Sequence, residues 1–113
     1  MRWFLRSKIH KAIVTETNLN YVRSIGIDKA LMEKVDILAG EKVLVVDNTN
    51  GARLETYVIE EEKDSGKVLI YGAAAHLIKK GDEIIIMGFE LTNKTIKAKN
   101  ILVDKNNKFV KFL

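Results

Sequence analysis

The chain has 113 residues, 47% of them hydrophobic, with 19 Lys and Arg against 15 Asp and Glu and no cysteine. That length suits one domain with a real core, and the apolar content excludes a disordered chain. The lack of cysteine excludes disulfides and thiolate metal sites, and the longest apolar runs, Val43 to Val46 and Ile84 to Met87, are far too short to cross a bilayer. Met1 to Lys8 has no apolar core of signal-peptide length, so a cytoplasmic protein with no membrane partner is expected. The net charge of +4 comes from lysines interleaved with acids, as in Glu60-Glu61-Glu62-Lys63-Asp64. Only Lys94 to Lys99 and Lys105 to Lys111 are locally basic, and solvated turns explain these better than a nucleic-acid partner.

Residues 3–16 alternate as a strand does, with Ile9 and Ile13 expected on one face and Lys8, His10, Ala12 and Val14 on the other. Residues 17–24 lack periodicity and should include a turn. Asp28 suits a helix N-cap, Ala30, Leu31, Val35 and Leu38 follow at helical spacing, and Gly40 suits the position past the helix end. Glu41 to Asp47 reads as a β-branched strand, Asn48-Thr49-Asn50-Gly51 as a turn, and Ala52 to Glu62 as the returning strand. Asp64-Ser65-Gly66 turns into a strand over Lys67 to Tyr71, and the small residues of Gly72 to His76 suit a single helical turn. Lys80-Gly81-Asp82 leads into a strand from Glu83 to Phe89, and short strands at Ile101 to Val103 and Phe109 to Leu113 flank a last turn.

An internal echo points to the architecture. Gly40-Glu41-Lys42-Val43-Leu44-Val45-Val46 and Gly81-Asp82-Glu83-Ile84-Ile85-Ile86-Met87 share a glycine, an acid, a charged residue and an apolar strand. Two such units in a short chain suggest a small barrel with pseudo-twofold symmetry, which also removes unpaired sheet edges. Taken singly, the chemistry-bearing residues have ordinary readings: Arg53 as a solvated hairpin charge, Tyr57 as a strand aromatic, His10 as surface decoration, Ala73 to Ala75 as helix formers. Strict alternation also sends Thr56 and Tyr57 to opposite faces of their strand.

Taken together and in order, Lys8-Ile9-His10, Asn20-Tyr21-x-x-Ser24 with Ile27-Asp28, Asn50-Gly51-x-Arg53-x-x-Thr56-Tyr57, Gly72-Ala73-Ala74-Ala75 and Gly81-Asp82 resemble the pyruvoyl-dependent aspartate 1-decarboxylases from about residue 3 to residue 89. The resemblance implies a mainly β fold, a double-psi β-barrel with one short helix after the cleavage site, assembled as a homotetramer with active sites between subunits. It implies conversion of L-aspartate to β-alanine and CO2 in pantothenate synthesis, with no metal. Decarboxylation leaves a carbanion that needs an electron sink, and the family makes one from its own backbone. The Ser24 hydroxyl would attack the carbonyl of residue 23, and elimination would split the zymogen into 1–23 and 24–113. The new end would become a pyruvoyl group that takes the substrate amine as a Schiff base.

By the same resemblance, Arg53 would hold the substrate's side-chain carboxylate in a bidentate fork. Lys8 would attract the α-carboxylate, and Tyr57 would return a proton to the carbanion, since a phenol keeps its proton at neutral pH. Thr56 would polarise the carbonyl of residue 23. Gly72, Ala73 and Ala74 would let backbone donors approach the ligand closely, while His10 and Tyr21 would line the site.

Two positions depart from the family pattern. Arg23 stands where glycine usually precedes the reactive serine, and a side chain forced to positive φ there costs about 1–2 kcal/mol. Tyr71 stands where asparagine usually precedes Gly-Ala-Ala-Ala. These departures set a second expectation beside the enzyme: an uncleaved or slowly maturing homologue acting as an oligomeric β-barrel binding module. A small barrel using its basic tail is a third.

Overall fold

The computed structural model describes residues 1–22 and 24–113, so the expectation attached to Arg23 lies outside the described residues. The chain is mainly β. In order, the described strands are β1 (Arg2–Ile13), β2 (Glu16–Asn18), β3 (Ser24–Asp28), β4 (Lys42–Asp47), β5 (Arg53–Glu61), β6 (Val68–Tyr71), β7 (Glu83–Thr92), β8 (Lys99–Val103) and β9 (Phe109–Phe112). One helix, α1 (Lys29–Val35), follows β3, and a 3-10 turn (Gly72–His76) follows β6. The strands join in the order β2-β6-β3-β5-β4-β7-β1-β8-β9. Pairing is parallel at β2·β6, β3·β5 and β1·β8 and antiparallel at the other contacts.

The sheet curls around a single core. Ile9, Ile25, Ile27, Val43, Val45, Ile70, Ile84, Ile86 and Ile101 come from six different strands and are all enclosed in it. Each such side chain removed from water contributes about 1.5–3 kcal/mol before entropy is counted. Leu31, Met32 and Val35 of α1 face the same core.

The internal echo has a structural counterpart. Gly40 donates its N–H to the Val58 carbonyl at 2.8 Å, and Val58 donates to the Glu41 carbonyl at 3.0 Å. In the other unit Gly81 donates to Val14 at 2.8 Å, and Val14 donates to Asp82 at 3.0 Å. Each glycine–acid pair thus exchanges two backbone bonds with a valine on a distant stretch of chain. This pseudo-twofold correspondence is what the double-psi barrel expectation requires.

Two local expectations are corrected. Lys11 has φ 69°, and the β1–β7 register shifts between Ile9 and Ala12. This bulge reverses the strand's phase, so Ala12 and Val14 join Ile9 in the core while Ile13 is only half-buried. The helix stops earlier than Gly40: Asp36 takes a left-handed conformation at φ 61°, and its N–H caps the Met32 carbonyl. Leu38 is therefore exposed, and Gly40 serves the pairing with Val58 instead. The N-cap is as expected. Asp28 Oδ1 accepts from Ala30 N at 2.8 Å and from Asp64 N at 2.9 Å, and Oδ2 accepts from Gly66 N at 2.8 Å.

Candidate functional site

Ser24 opens β3 and is fully buried. Its antiparallel partner on β6 is Tyr71. On its other side β3 runs parallel to β5 with Ile25 level with Val58, and continuing that register by one residue brings Tyr57 level with Ser24. The serine is thus bracketed by a tyrosine on each neighbouring strand. The Ser24 hydroxyl donates to the Val22 carbonyl at 3.3 Å, back along the chain.

Thr56 and Tyr57 take opposite faces of β5, as alternation requires. Tyr57 is exposed and Thr56 is buried with Leu54 and Val58. Thr56 Oγ1 is enclosed and has no hydrogen-bond partner among the described residues. A buried hydroxyl without a partner costs about 1–3 kcal/mol, so this atom is an unspent donor one residue from the level of Ser24.

The charged candidates lie elsewhere. Lys8 and His10 share the outer face of β1, where Lys8 is level with Met87 on β7 and Asn100 on β8. Met87 is level with Leu44 on β4, and Leu44 with Glu55 on β5. Three strand spacings of about 4.8 Å therefore separate β1 from β5 by about 14 Å measured along the curled sheet. Lys8 and Arg53 thus stand on strands that do not pair with each other. Arg53 is exposed at the start of β5, four residues before Tyr57 and about 13 Å from it along the strand. Among the described residues no carboxylate forms an ion pair with Arg53, whereas Glu55 pairs with Lys42 at 2.6 Å.

His10 is held neutral at physiological pH: burial lowers its pKa, and Lys8 and Lys11 lower it further against a weaker opposing pull from Glu83. Among the described residues its Nδ1 is enclosed without a partner, as is Asn100 Oδ1, which belongs to the residue level with Lys8. This side of the sheet therefore presents a cation with two unsatisfied polar atoms near it.

Gly72 begins the 3-10 turn with φ 67°, a conformation that favours glycine. Ala74 and Ala75 are buried and Ala73 is exposed. The turn sits close to the hairpin that carries Arg53, because Asn50 Nδ2 donates to the Leu77 carbonyl at 2.7 Å.

Tyr71 has contacts the sequence did not foreshadow. Its hydroxyl donates to Glu61 Oε2 at 3.3 Å, and its ring lies 5.1 Å from that of Tyr21. Burial, reinforced by the Glu61 carboxylate, pushes its pKa up to about 12. Tyr21, Tyr71, Leu69 and the polar residues of β2 line a cavity of about 230 Å³. A larger groove of about 570 Å³ lies by Trp3, Phe89 and the Arg6–Glu41 ion pair and includes none of the candidate residues. The smaller cavity is the relevant one, since it adjoins the partner of Ser24. Glu61 was missed because it is level with Asp28 rather than Ser24, and its side chain meets Tyr71 only diagonally across β3. Asn107 was also missed: its side chain bonds Ile13 N, Ile13 O and Gly66 O at 2.7–2.8 Å and fastens the last turn to the barrel.

Residues 1–110 match the family described as aspartate decarboxylase. The chain is 54% identical to a protein of Caldicellulosiruptor saccharolyticus named aspartate 1-decarboxylase, over 95% of this chain and 87% of that one. A protein of the same name from Thermoanaerobacter pseudethanolicus is 53% identical over 95% of each chain. One from Bacillus cereus is 48% identical over 99% of this chain and 91% of its own.

Proposed function

Since the chain belongs to the aspartate decarboxylase family, we propose that it is an aspartate 1-decarboxylase, releasing the α-carboxylate of L-aspartate as CO2 and leaving β-alanine. The family and the names of its relatives favour this enzyme over an uncleaved binding module. The observation that carries the mechanism is a fully buried Ser24 on the strand beside the one that carries Thr56, whose hydroxyl has no partner among the described residues. Both fit a backbone that makes its own pyruvoyl group at position 24, in one barrel domain cleaved between 23 and 24.

In that reaction the Ser24 oxygen adds to the carbonyl carbon of residue 23, and the Ser24 nitrogen leaves as an amine, giving an ester. Loss of the Cα proton and of the carboxylate of residue 23 then breaks the Cβ–O bond. Fragment 1–23 is freed, and the dehydroalanine left at position 24 takes up one water and loses ammonia. Thr56 donates its free hydroxyl to the oxygen that gains charge in the first step, where one well-placed donor contributes about 3–4 kcal/mol. The resulting ketone supplies the electron sink for the substrate's α-carbon.

The remaining residues bind substrate and move protons. Tyr57, level with Ser24, holds the phenolic proton that is returned to the α-carbon. Arg53, which forms no ion pair among the described residues, takes the side-chain carboxylate. Lys8 attracts the α-carboxylate, while neutral His10 and Tyr21 line the pocket. Gly72, Ala73 and Ala74 offer close backbone approach.

That Lys8 and Arg53 sit on strands that do not pair fits sites completed at subunit junctions, in a cytoplasmic homotetramer. The intact mass of purified protein tests the reading. Two fragments, 1–23 and 24–113, are expected, the larger reacting with a hydrazine probe at its first residue. A whole, probe-silent chain after prolonged incubation would overturn it.

A further inference from the structure

We propose that Tyr71 is a positioning residue that clamps the chain on both sides of the bond preceding Ser24. This rests on the self-cleavage reading above and adds a device to it. Upstream of the bond, the Tyr21 ring packs against Tyr71 with centroids 5.1 Å apart and planes at 58°. Such a tilted pair contributes about 0.5–1.5 kcal/mol beyond burial alone. Tyr21 and Val22 are otherwise exposed, so this contact joins the Ser24–Val22 hydrogen bond in holding the segment leading into the bond. Downstream, Tyr71 is the β6 partner of Ser24 itself. Its hydroxyl donates to Glu61 Oε2 at 3.3 Å, and that carboxylate lies directly over Gly26, where an added Cβ would meet Oε2 at 2.6 Å.

One side chain therefore reaches the third residue before Ser24 through its ring and the second residue after it through Glu61. Attack of a hydroxyl on its own preceding peptide requires both flanks to be held still, and a misplacement of about 1 Å can cost on the order of a hundredfold in rate. A compact amide at position 71 has no ring for Tyr21 to pack on. The clamp would also keep the end of fragment 1–23 seated after the bond breaks.

Two measurements test this. The first-order rate of fragment formation is followed by intact mass in wild type, Tyr71→Ala and Tyr71→Phe. Tyr71→Ala is expected to slow it at least about tenfold, and Tyr71→Phe, which keeps the ring but not the donor, to fall between. Separately, amide exchange is measured on Ser24→Ala, which cannot cleave, with and without Tyr71→Ala. Exchange should rise across residues 20–26 and stay unchanged in β4 and β7. Wild-type cleavage by Tyr71→Ala overturns the proposal, as does slowed cleavage with unchanged exchange. If wild type never cleaves yet exchange rises as described, self-cleavage fails and the clamp stands as a contact. Should Tyr71→Ala not fold, Tyr71→Phe decides by the same two readouts.

Discussion

The end of β3 depends on one carboxylate, and its removal has a magnitude that can be worked out. Asp28 is buried and accepts three backbone N–H bonds: from Ala30 in the first turn of α1, and from Asp64 and Gly66 in the turn between β5 and β6. Asp28→Ala leaves all three donors without a partner at a site where each orphan costs about 1–3 kcal/mol. Water entering the vacated volume recovers part of this, so the expected loss is about 3–6 kcal/mol. Against a total of about 5–15 kcal/mol that is a large fraction. Asp28→Asn keeps one acceptor oxygen and turns an amide donor toward the Gly66 N–H, so it should lose about half as much. The assay is urea unfolding by circular dichroism in a Ser24→Ala background, which keeps the chain whole. With a slope of about 1–3 kcal/mol/M, Asp28→Ala should lower the midpoint by more than about 1 M. A loss below about 1 kcal/mol would show that the turn is not held through Asp28, and with it the anchoring of the strand that begins at Ser24.

Other expectations follow from buried charge and from the hairpin. Asp47 is fully buried and its Oδ2 has no donor among the described residues. Burial, and then the neighbouring Asp82 carboxyl, raise its pKa above the ordinary 3.8. The folded state therefore holds a proton that the unfolded chain releases, and stability should fall as pH rises from 3.8 through the raised folded value. Asp47→Asn should remove that part of the slope in urea midpoints measured across pH, and an unchanged slope would refute the assignment. Arg53→Lys exchanges a planar fork for a point charge. It should raise the KM for L-aspartate roughly tenfold or more with a smaller change in kcat, read as β-alanine formation, and an unchanged KM would remove Arg53 from the carboxylate site.

What the sequence disclosed tracks how local each feature is. Strands β4, β5 and β7 were readable because β-branched and apolar residues fill alternate core positions, and the hairpin because Asn50-Gly51 supplies a positive φ of 77° at Gly51. The repeated glycine–acid unit pointed to the right symmetry, since each copy makes the same two backbone bonds. The bulge at Lys11 was hidden because a lysine at positive φ carries no compositional mark; only the demand that Ile9, Ala12 and Val14 all reach the core reveals it. The helix end was misplaced for the same reason, since Asp36 rather than a glycine takes the left-handed position.

The candidate site divides along the same line. Its residues were named from their order in the chain, yet their grouping depends on register. The parallel β3–β5 pairing puts Tyr57 beside Ser24, and the β3–β6 pairing puts Tyr71 there too. No local pattern encodes either pairing, because strands adjacent in the sheet are separated by α1, β4 or a turn in the chain. The three-strand gap between Lys8 and Arg53 is likewise a property of sheet order. It leaves the candidates in three places: Ser24 with a tyrosine on each neighbouring strand, Lys8 and His10 on β1, and Arg53 at the start of β5. This spread over strands that do not pair is the physical reason that order in the chain names the candidates without grouping them.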